Sequence, residues 1–318
     1  MSRLRLLGGA LVAFAAQLPA QQVPDTAFRP VVARPAWSAA AGPRLCLDEG
    51  HHNFHTLDFR FQAFGTLARA DGLRVAPLRA TFSRASLSAC DLVVIANAQS
   101  SDLPWDQYPS PTPSAFQDAE IAALRTWVEA GGALLLIADH MPLAGAAAAL
   151  GRAFGFEFRD GFAFRAYTSA ADRDAAQAEP TLFRSADSLL RDHPATRGRT
   201  PDERVTQVRS FTGQAMRDLR GGAAPLLVLP ANFVSVEPRY AWQFSDTTAT
   251  HPVGGWLQGA TRQVGRGRLA VFGEAAMFSA QVSGPTRRPM GMNAPGAEQN
   301  AQFALNVLRW LLGTLPPA

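Results

Sequence analysis

The sequence predicts an α/β fold: a doubly wound, mainly parallel sheet in a single large domain with an irregular insertion. Three observations carry that expectation. The chain has 318 residues, 47% hydrophobic and 18% charged, enough apolar material for a sizeable core and too much for a disordered chain. Short apolar runs alternate four times with segments of helical spacing, the order of a parallel sheet. Polar residues gather just after the apolar runs, where such sheets bind ligands.

Residues 1–20 read as an export signal to periplasm or medium, with Arg3 and Arg5 ahead of an apolar stretch and Ala20 at a cleavage point. Residues 21–42, rich in Pro, Ala and Gln, read as a linker or surface arm, and the α/β domain as 43–315. A first strand is expected over 44–47, ending at Asp48. Phe61, Phe64, Leu67 and Ala68 have helical spacing, and Asp71-Gly72 stops that helix. Strands follow over 73–78 and 91–96, the second a continuous apolar run of the kind buried on both faces. Residues 100–114 hold four prolines and form a long loop placed to cover the strand ends. Ser114 is expected to cap the next helix, with Gln117 three residues on; Ile121, Leu124 and Val128 line its face. A fourth strand over 133–138 ends at Asp139, and the alanine-rich run 144–154 forms another helix. Residues 160–204 read as the insertion. Strand candidates at 205–211, 225–230 and 268–272 precede a last helix over 297–312.

The formal charge is +4, and every basic residue is arginine. The arginines are scattered; the longest cluster, Arg262, Arg266 and Arg268, brackets a glycine turn. A nucleic-acid footprint needs a stripe or a patch, so that partner is not expected. Without lysine there is no Schiff-base or Walker-lysine chemistry. Beyond the N-terminus no apolar run approaches the roughly 18 residues of a membrane span. An exported protein could pair Cys46 with Cys90. Both fall on expected strands, where a bridge strains bond geometry, so two buried free thiols are preferred.

The densest polar run is Asp48, Glu49, Gly50, His51, His52, Asn53, Phe54 and His55, after the first strand. Asn97 and Gln99 follow the third strand, Asp139 and His140 the fourth, Thr212 to Gln214 a later one, and Gly273 and Glu274 the last. Imidazoles and carboxylates so placed suit general acid/base chemistry, with Asp48, Glu49, His52, His140 and Glu274 as candidates. They also suit a divalent metal held by His51, His52, His55 and Asp139, although the spacing matches no zinc motif. A purely structural network of helix caps and loop braces is the third reading. Asn53, Asn97, Gln214, Asn293 and Asn300 are candidate ligand-binding amides. Asn300 lies on the apolar stripe of the last helix, where a brace of the Met292–Asn293 loop is favoured over a ligand contact. Met277, Met290 and Met292 read as packing, and His193 and His251 as surface loop residues. No G-x-S-x-G elbow is present, so covalent catalysis is not expected.

Three segments carry a family resemblance: Asp48-Glu49-Gly50-His51-His52-Asn53-Phe54-His55-Thr56, Ile137-Ala138-Asp139-His140-Met141-Pro142, and Phe272-Gly273-Glu274-Ala275-Ala276-Met277-Phe278. They resemble an uncharacterised bacterial family similar to the class I glutamine amidotransferase-like superfamily, which includes trehalose-utilisation-like proteins. The resemblance covers roughly residues 44–312 and implies a flavodoxin-like sheet. It does not bring an amidotransferase mechanism, because no elbow cysteine is present and no histidine stands two residues before Glu274.

The expected function is that of an exported protein that binds a small polar ligand, a sugar derivative being the class in view, and hydrolyses or otherwise transforms it without a covalent triad. The rival is a non-catalytic binding or assembly module. A flavodoxin-type redox protein is disfavoured, because the His- and carboxylate-rich first loop repels phosphate. All of this requires the 48–55 stretch and the 139–140 pair to meet on one rim of the sheet.

Overall fold

The computed structural model describes residues 22–104 and 107–318; the expected export signal lies outside the described residues. Five parallel strands form the centre of a nine-stranded sheet: Arg44–Asp48, Arg74–Leu78, Leu92–Ala96, Ala133–Ile137 and Gly267–Phe272. Counted in chain order, they lie 2-1-3-4-5 across the sheet. The protein is therefore mixed α/β with a mainly parallel central sheet.

The apolar runs Leu92–Ala96 and Ala133–Ile137 are buried at every position, because helices cover both faces. Leu92, Val94 and Ala96 face Phe64, Leu67 and Phe303, from helices Gln62–Ala70 and Asn300–Leu311. Val93 and Ile95 face Leu124, Val128 and Leu150, from helices Asp118–Glu129 and Ala148–Ala153. This is the period-two alternation of a strand read out on two separate cores. Gly72 turns the first helix into its strand with φ +97°, where a Cβ would lie 2.4 Å from the Trp37 carbonyl oxygen.

Several expected elements differ. Asp118–Glu129 is capped by Gln117, paired reciprocally with Glu120, whereas Ser114 closes a turn on Phe116 just before it. The alanine-rich run splits into Leu143–Ala146 and Ala148–Ala153. There the Asp160 carboxylate packs against Gly145 and accepts its N–H at 3.0 Å. The strand expected at 205–211 does not join the central sheet; Gln207–Ser210 pairs with Thr181–Arg184 in a separate ribbon. The sheet is instead extended by antiparallel strands, chief among them Leu257–Val264, which pairs with both Gly267–Phe272 and Ala224–Val228. Its sequence, LQGATRQV, lacks the apolar alternation that announces a strand.

The cysteine expectation is overturned: Cys46 and Cys90 form a disulfide with Cα atoms 5.8 Å apart. Cys46 is on a strand, but Cys90 lies in the turn before Leu92–Ala96, so its side chain is not locked into the pleat and reaches its neighbour. His193 is not a surface residue either. It is 3% exposed, caps helix Pro194–Arg197 by accepting the Ala195 N–H, and contacts Thr261 Oγ1 at 2.9 Å. Burial and the Arg197 charge lower its pKa to about 4.

Residues 22–42 pack back on the domain. Val23–Pro24 pairs antiparallel with Val282 and Gln281, and Phe28, Val32 and Trp37 rest on the core. Among the described residues no helix is long and apolar enough to cross a membrane.

Candidate functional site

The first and third parallel strands sit where the strand order reverses, and their carboxyl ends open a crevice there. Asn97 follows the third strand in a left-handed conformation (φ +53°), which asparagine tolerates better than most residues. That turn aims its amide sideways. Oδ1 accepts the Asp139 N–H at 3.0 Å, and Nδ2 lies 3.1 Å from His55 Nδ1. One amide thus joins the first loop to the Asp139–His140 turn.

This chain of bonds sets the state of His55. A backbone N–H can only donate, so Asn97 must face Asp139 with its oxygen and His55 with its NH2 group. His55 Nδ1 is therefore the acceptor, and Nε2 carries the hydrogen. Burial, with help from the Arg60 charge, pushes the His55 pKa well below its ordinary value and keeps the ring neutral. Nε2 is buried with no hydrogen-bond partner among the described residues.

His140 has the opposite tautomer. Its Nδ1 lies 2.8 Å from the Met141 carbonyl oxygen, which can only accept, so Nδ1 carries a hydrogen, and the neutral ring has its lone pair on Nε2, 4.0 Å from Asp139 Oδ1. The ring stacks on Phe162 at 4.5 Å and meets Trp242 edge-on at 4.9 Å.

Two buried carboxyl groups share a recess with the two imidazoles. Asp139 accepts the N–H groups of His140 and Ala275. Glu274 accepts those of Ala276 and Met277 at 2.7 and 2.9 Å. Burial, and then the adjacent Asp139 charge, raise the Glu274 pKa well above the carboxylate range despite those bonds. His55, Asn97, Asp139, His140 and Glu274 line one recess of about 40 Å³, walled further by Gln22, Thr212, Trp242 and Gln281.

The remaining candidates lie elsewhere. His51 is 3% exposed and bridges two carboxylates: Nδ1 is 2.8 Å from Asp48 Oδ1, and Nε2 is 2.9 Å from Glu120 Oε1. Phe82 and Phe116 pack on its ring, and Asn53 braces Asp48 through a 3.0 Å bond. Glu49 accepts the Leu57 N–H and pairs with Arg79. His52 is turned outward (φ +46°) to Asp102. Gln214 is buried and bonds to the Ala138 carbonyl. Asn293 donates to Asp25 and to the Gln281 carbonyl, and Asn300 braces Arg209 and Met277.

The donor set expected for a metal does not assemble. His51 spends both nitrogens on carboxylates, His52 is at the surface, and His55 presents an N–H rather than a lone pair. Among the described residues no group of three or more His, Cys, Asp or Glu side chains is disposed to hold a metal ion.

The His51 bridge has a pH signature. Burial alone would lower the His51 pKa, but the hydrogen bonds and charges of Asp48 and Glu120 outweigh it and raise it. A base with a raised folded-state pKa contributes stability below its unfolded value of 6.5 and loses it as pH rises through the folded value. The stability difference between the wild type and His51→Gln should therefore shrink as pH rises from 6 to 9, read by urea denaturation at each pH. A constant difference would show that the His51 pKa is unshifted by folding, and a difference that grows with pH would show that it is lowered in the fold.

Thr212 is among the polar residues expected after a strand, whereas Gln22, Trp242 and Gln281 are not read as candidates from sequence. These three come from the N-terminal arm and from segments without helix or strand periodicity, so no local signal marks them.

No protein-family model matches the chain, and no curated protein matches it in sequence. Among solved structures, the mmIFT52 N-terminal domain is similar, with TM-score 0.56 and 12% identity over 85% of this chain and 97% of that domain. A ThuA-like protein from Bacteroides uniformis has TM-score 0.44 and 11% identity over 89% of this chain and 94% of its own. The exo-beta-1,4-mannosidase Op5Man5 from Opitutaceae bacterium strain TAV5 has TM-score 0.41 and 14% identity, over 88% of this chain and 37% of the enzyme. The first of these likenesses is one of fold.

Proposed function

We propose that the protein binds a small polar, carbohydrate-derived ligand at the recess and hydrolyses it by general acid/base catalysis, with no covalent intermediate. The observation that carries this reading is the pair of imidazoles held in opposite tautomers around a buried carboxyl pair. His140 Nε2 takes the proton of an attacking water. Glu274, kept protonated, gives its proton to the leaving oxygen, and Asp139 sits between them. Trp242, 36% exposed beside His140, supports the sugar reading as an aromatic side chain in the wall of the recess. The 2-1-3-4-5 strand order supports a flavodoxin-like fold across an α/β unit spanning 43–315. The disulfide supports an oxidising destination, and so export directed by residues 1–20.

The test is turnover on a panel of glycosides, esters and amides by wild type, His140→Gln and Glu274→Gln. Each variant should lose about a hundredfold or more in kcat, the usual reach of a general acid or base. His140→Gln should keep the wild-type Tm, and Glu274→Gln should lower it without unfolding the chain, because one of two backbone N–H groups loses its acceptor. If both variants fold normally and lose neither turnover nor ligand affinity, the recess is not the site. If the wild type turns over nothing yet retains a glycan or protein partner, the chain is a binding module.

A further inference from the structure

We infer that the floor of the recess is a subsite for one neutral hydroxyl group, and that Gln281 selects it; this rests on the recess being the ligand site. Gln281 is 1% exposed and lines the recess with His55. Its orientation follows from its neighbours. Ser279 Oγ donates to the Ala276 carbonyl, so it meets Gln281 Nε2, 2.7 Å away, as an acceptor. One N–H of the amide is thereby given to Ser279, and the carbonyl oxygen faces away from that bond. Gln281 Oε1 is buried with no hydrogen-bond partner among the described residues, as is His55 Nε2.

Among the described residues, the recess thus gathers, besides the His140, Asp139 and Glu274 groups, an unpartnered donor, His55 Nε2–H, and an unpartnered acceptor, Gln281 Oε1. Each points to a ligand atom of the opposite kind. A hydroxyl is both in a single atom: its oxygen accepts from His55 and its hydrogen goes to Gln281. The cavity of about 40 Å³ admits about one water-sized group. Charged alternatives fit worse. A carboxylate or phosphate brings no hydrogen to Gln281 and meets Asp139, and a cation meets the His55 N–H. The ligand class is therefore a neutral polyol or sugar that inserts a hydroxyl, in place of the water the free protein would hold there.

The experiment is calorimetric titration of the full chain with glucose, glucosamine, gluconate and glucose 6-phosphate, repeated on Gln281→Met. Glucose should bind at least tenfold more tightly than its three charged relatives. Gln281→Met should weaken glucose binding tenfold or more with only a small change in Tm, because it removes an unpaired buried acceptor together with the Ser279 bond. A merely structural glutamine would leave the affinity of the folded variant for glucose unchanged. Tighter binding of any charged relative overturns the neutral subsite but leaves the recess as the binding site. Absence of glucose binding, or unchanged affinity in Gln281→Met, overturns the inference; the His140 and Glu274 variants judge the site itself independently.

Discussion

Replacing Arg309 with methionine should lower the free energy of unfolding by about 3–5 kcal/mol, the cost of leaving buried charge without its partner. Arg309 is 1% exposed on the last helix. Its Nη2 and Nε lie 2.6 and 3.0 Å from the two oxygens of Asp71, itself fully buried at the end of the first helix. Nη1 is 3.0 Å from Glu203 Oε1 but not aligned for a hydrogen bond, so that contact is one of charge. Nη2 also donates to the Arg34 carbonyl, and Asp71 accepts the Ala36 N–H, so the same guanidinium ties down the N-terminal arm. Burial pushes the Glu203 carboxyl upward, but the Arg199 bonds and the Arg309 charge hold it at about 2. Adding Asp71→Asn to Arg309→Met should recover a large part of the loss, since the exposed penalty is an unpaired carboxylate rather than a missing contact. Urea denaturation of the single and double variants decides this. A single-variant loss under about 1 kcal/mol would mean that the network contributes little.

The arm matters because it delivers Gln22 to the recess wall and pairs Val23–Pro24 beside Gln281. Here lies the limit of what sequence could reveal. The runs LVVIA and ALLLI could only be strands covered on both faces, and Asn97 and Asp139 stand where such strands end. From there the meeting of His55 with Asp139 and His140 on one rim follows from chain order alone. Which histidines turn inward does not follow. His51, His52 and His55 are near neighbours in one loop, yet they become an ion bridge, a surface residue and a recess donor. The difference lies in a left-handed turn at His52 and in a glutamate 69 residues beyond His51. The His55 tautomer is less legible still, because it depends on a backbone N–H two strands away. Gln281 and Trp242 reach the recess through an antiparallel hairpin and a long excursion whose residues lack any periodic pattern.

Removing the disulfide, as Cys46→Ala/Cys90→Ala, should cost about 4 kcal/mol, the chain-entropy value for a cross-link spanning 44 residues. The bond joins the first parallel strand to the turn before the third, across the point where strand order reverses. Both the His51 bridge and the His55–Asn97 contact hang from the carboxyl ends of those two strands. Loss of the cross-link should therefore loosen the His55 side of the recess before the Glu274 side, which rests on the fourth and fifth strands. Hydrogen exchange would show this as faster opening of 44–56 and 92–97 than of 133–139 and 267–274. Reduction of the wild type should reproduce the double variant's denaturation midpoint. Two titratable thiols in the unreduced protein, with a midpoint indifferent to reductant, would remove the disulfide and with it the support for an oxidising destination. A bond worth about a quarter or more of a typical domain's margin of about 5–15 kcal/mol ties the shape of the recess to thiols that stay oxidised.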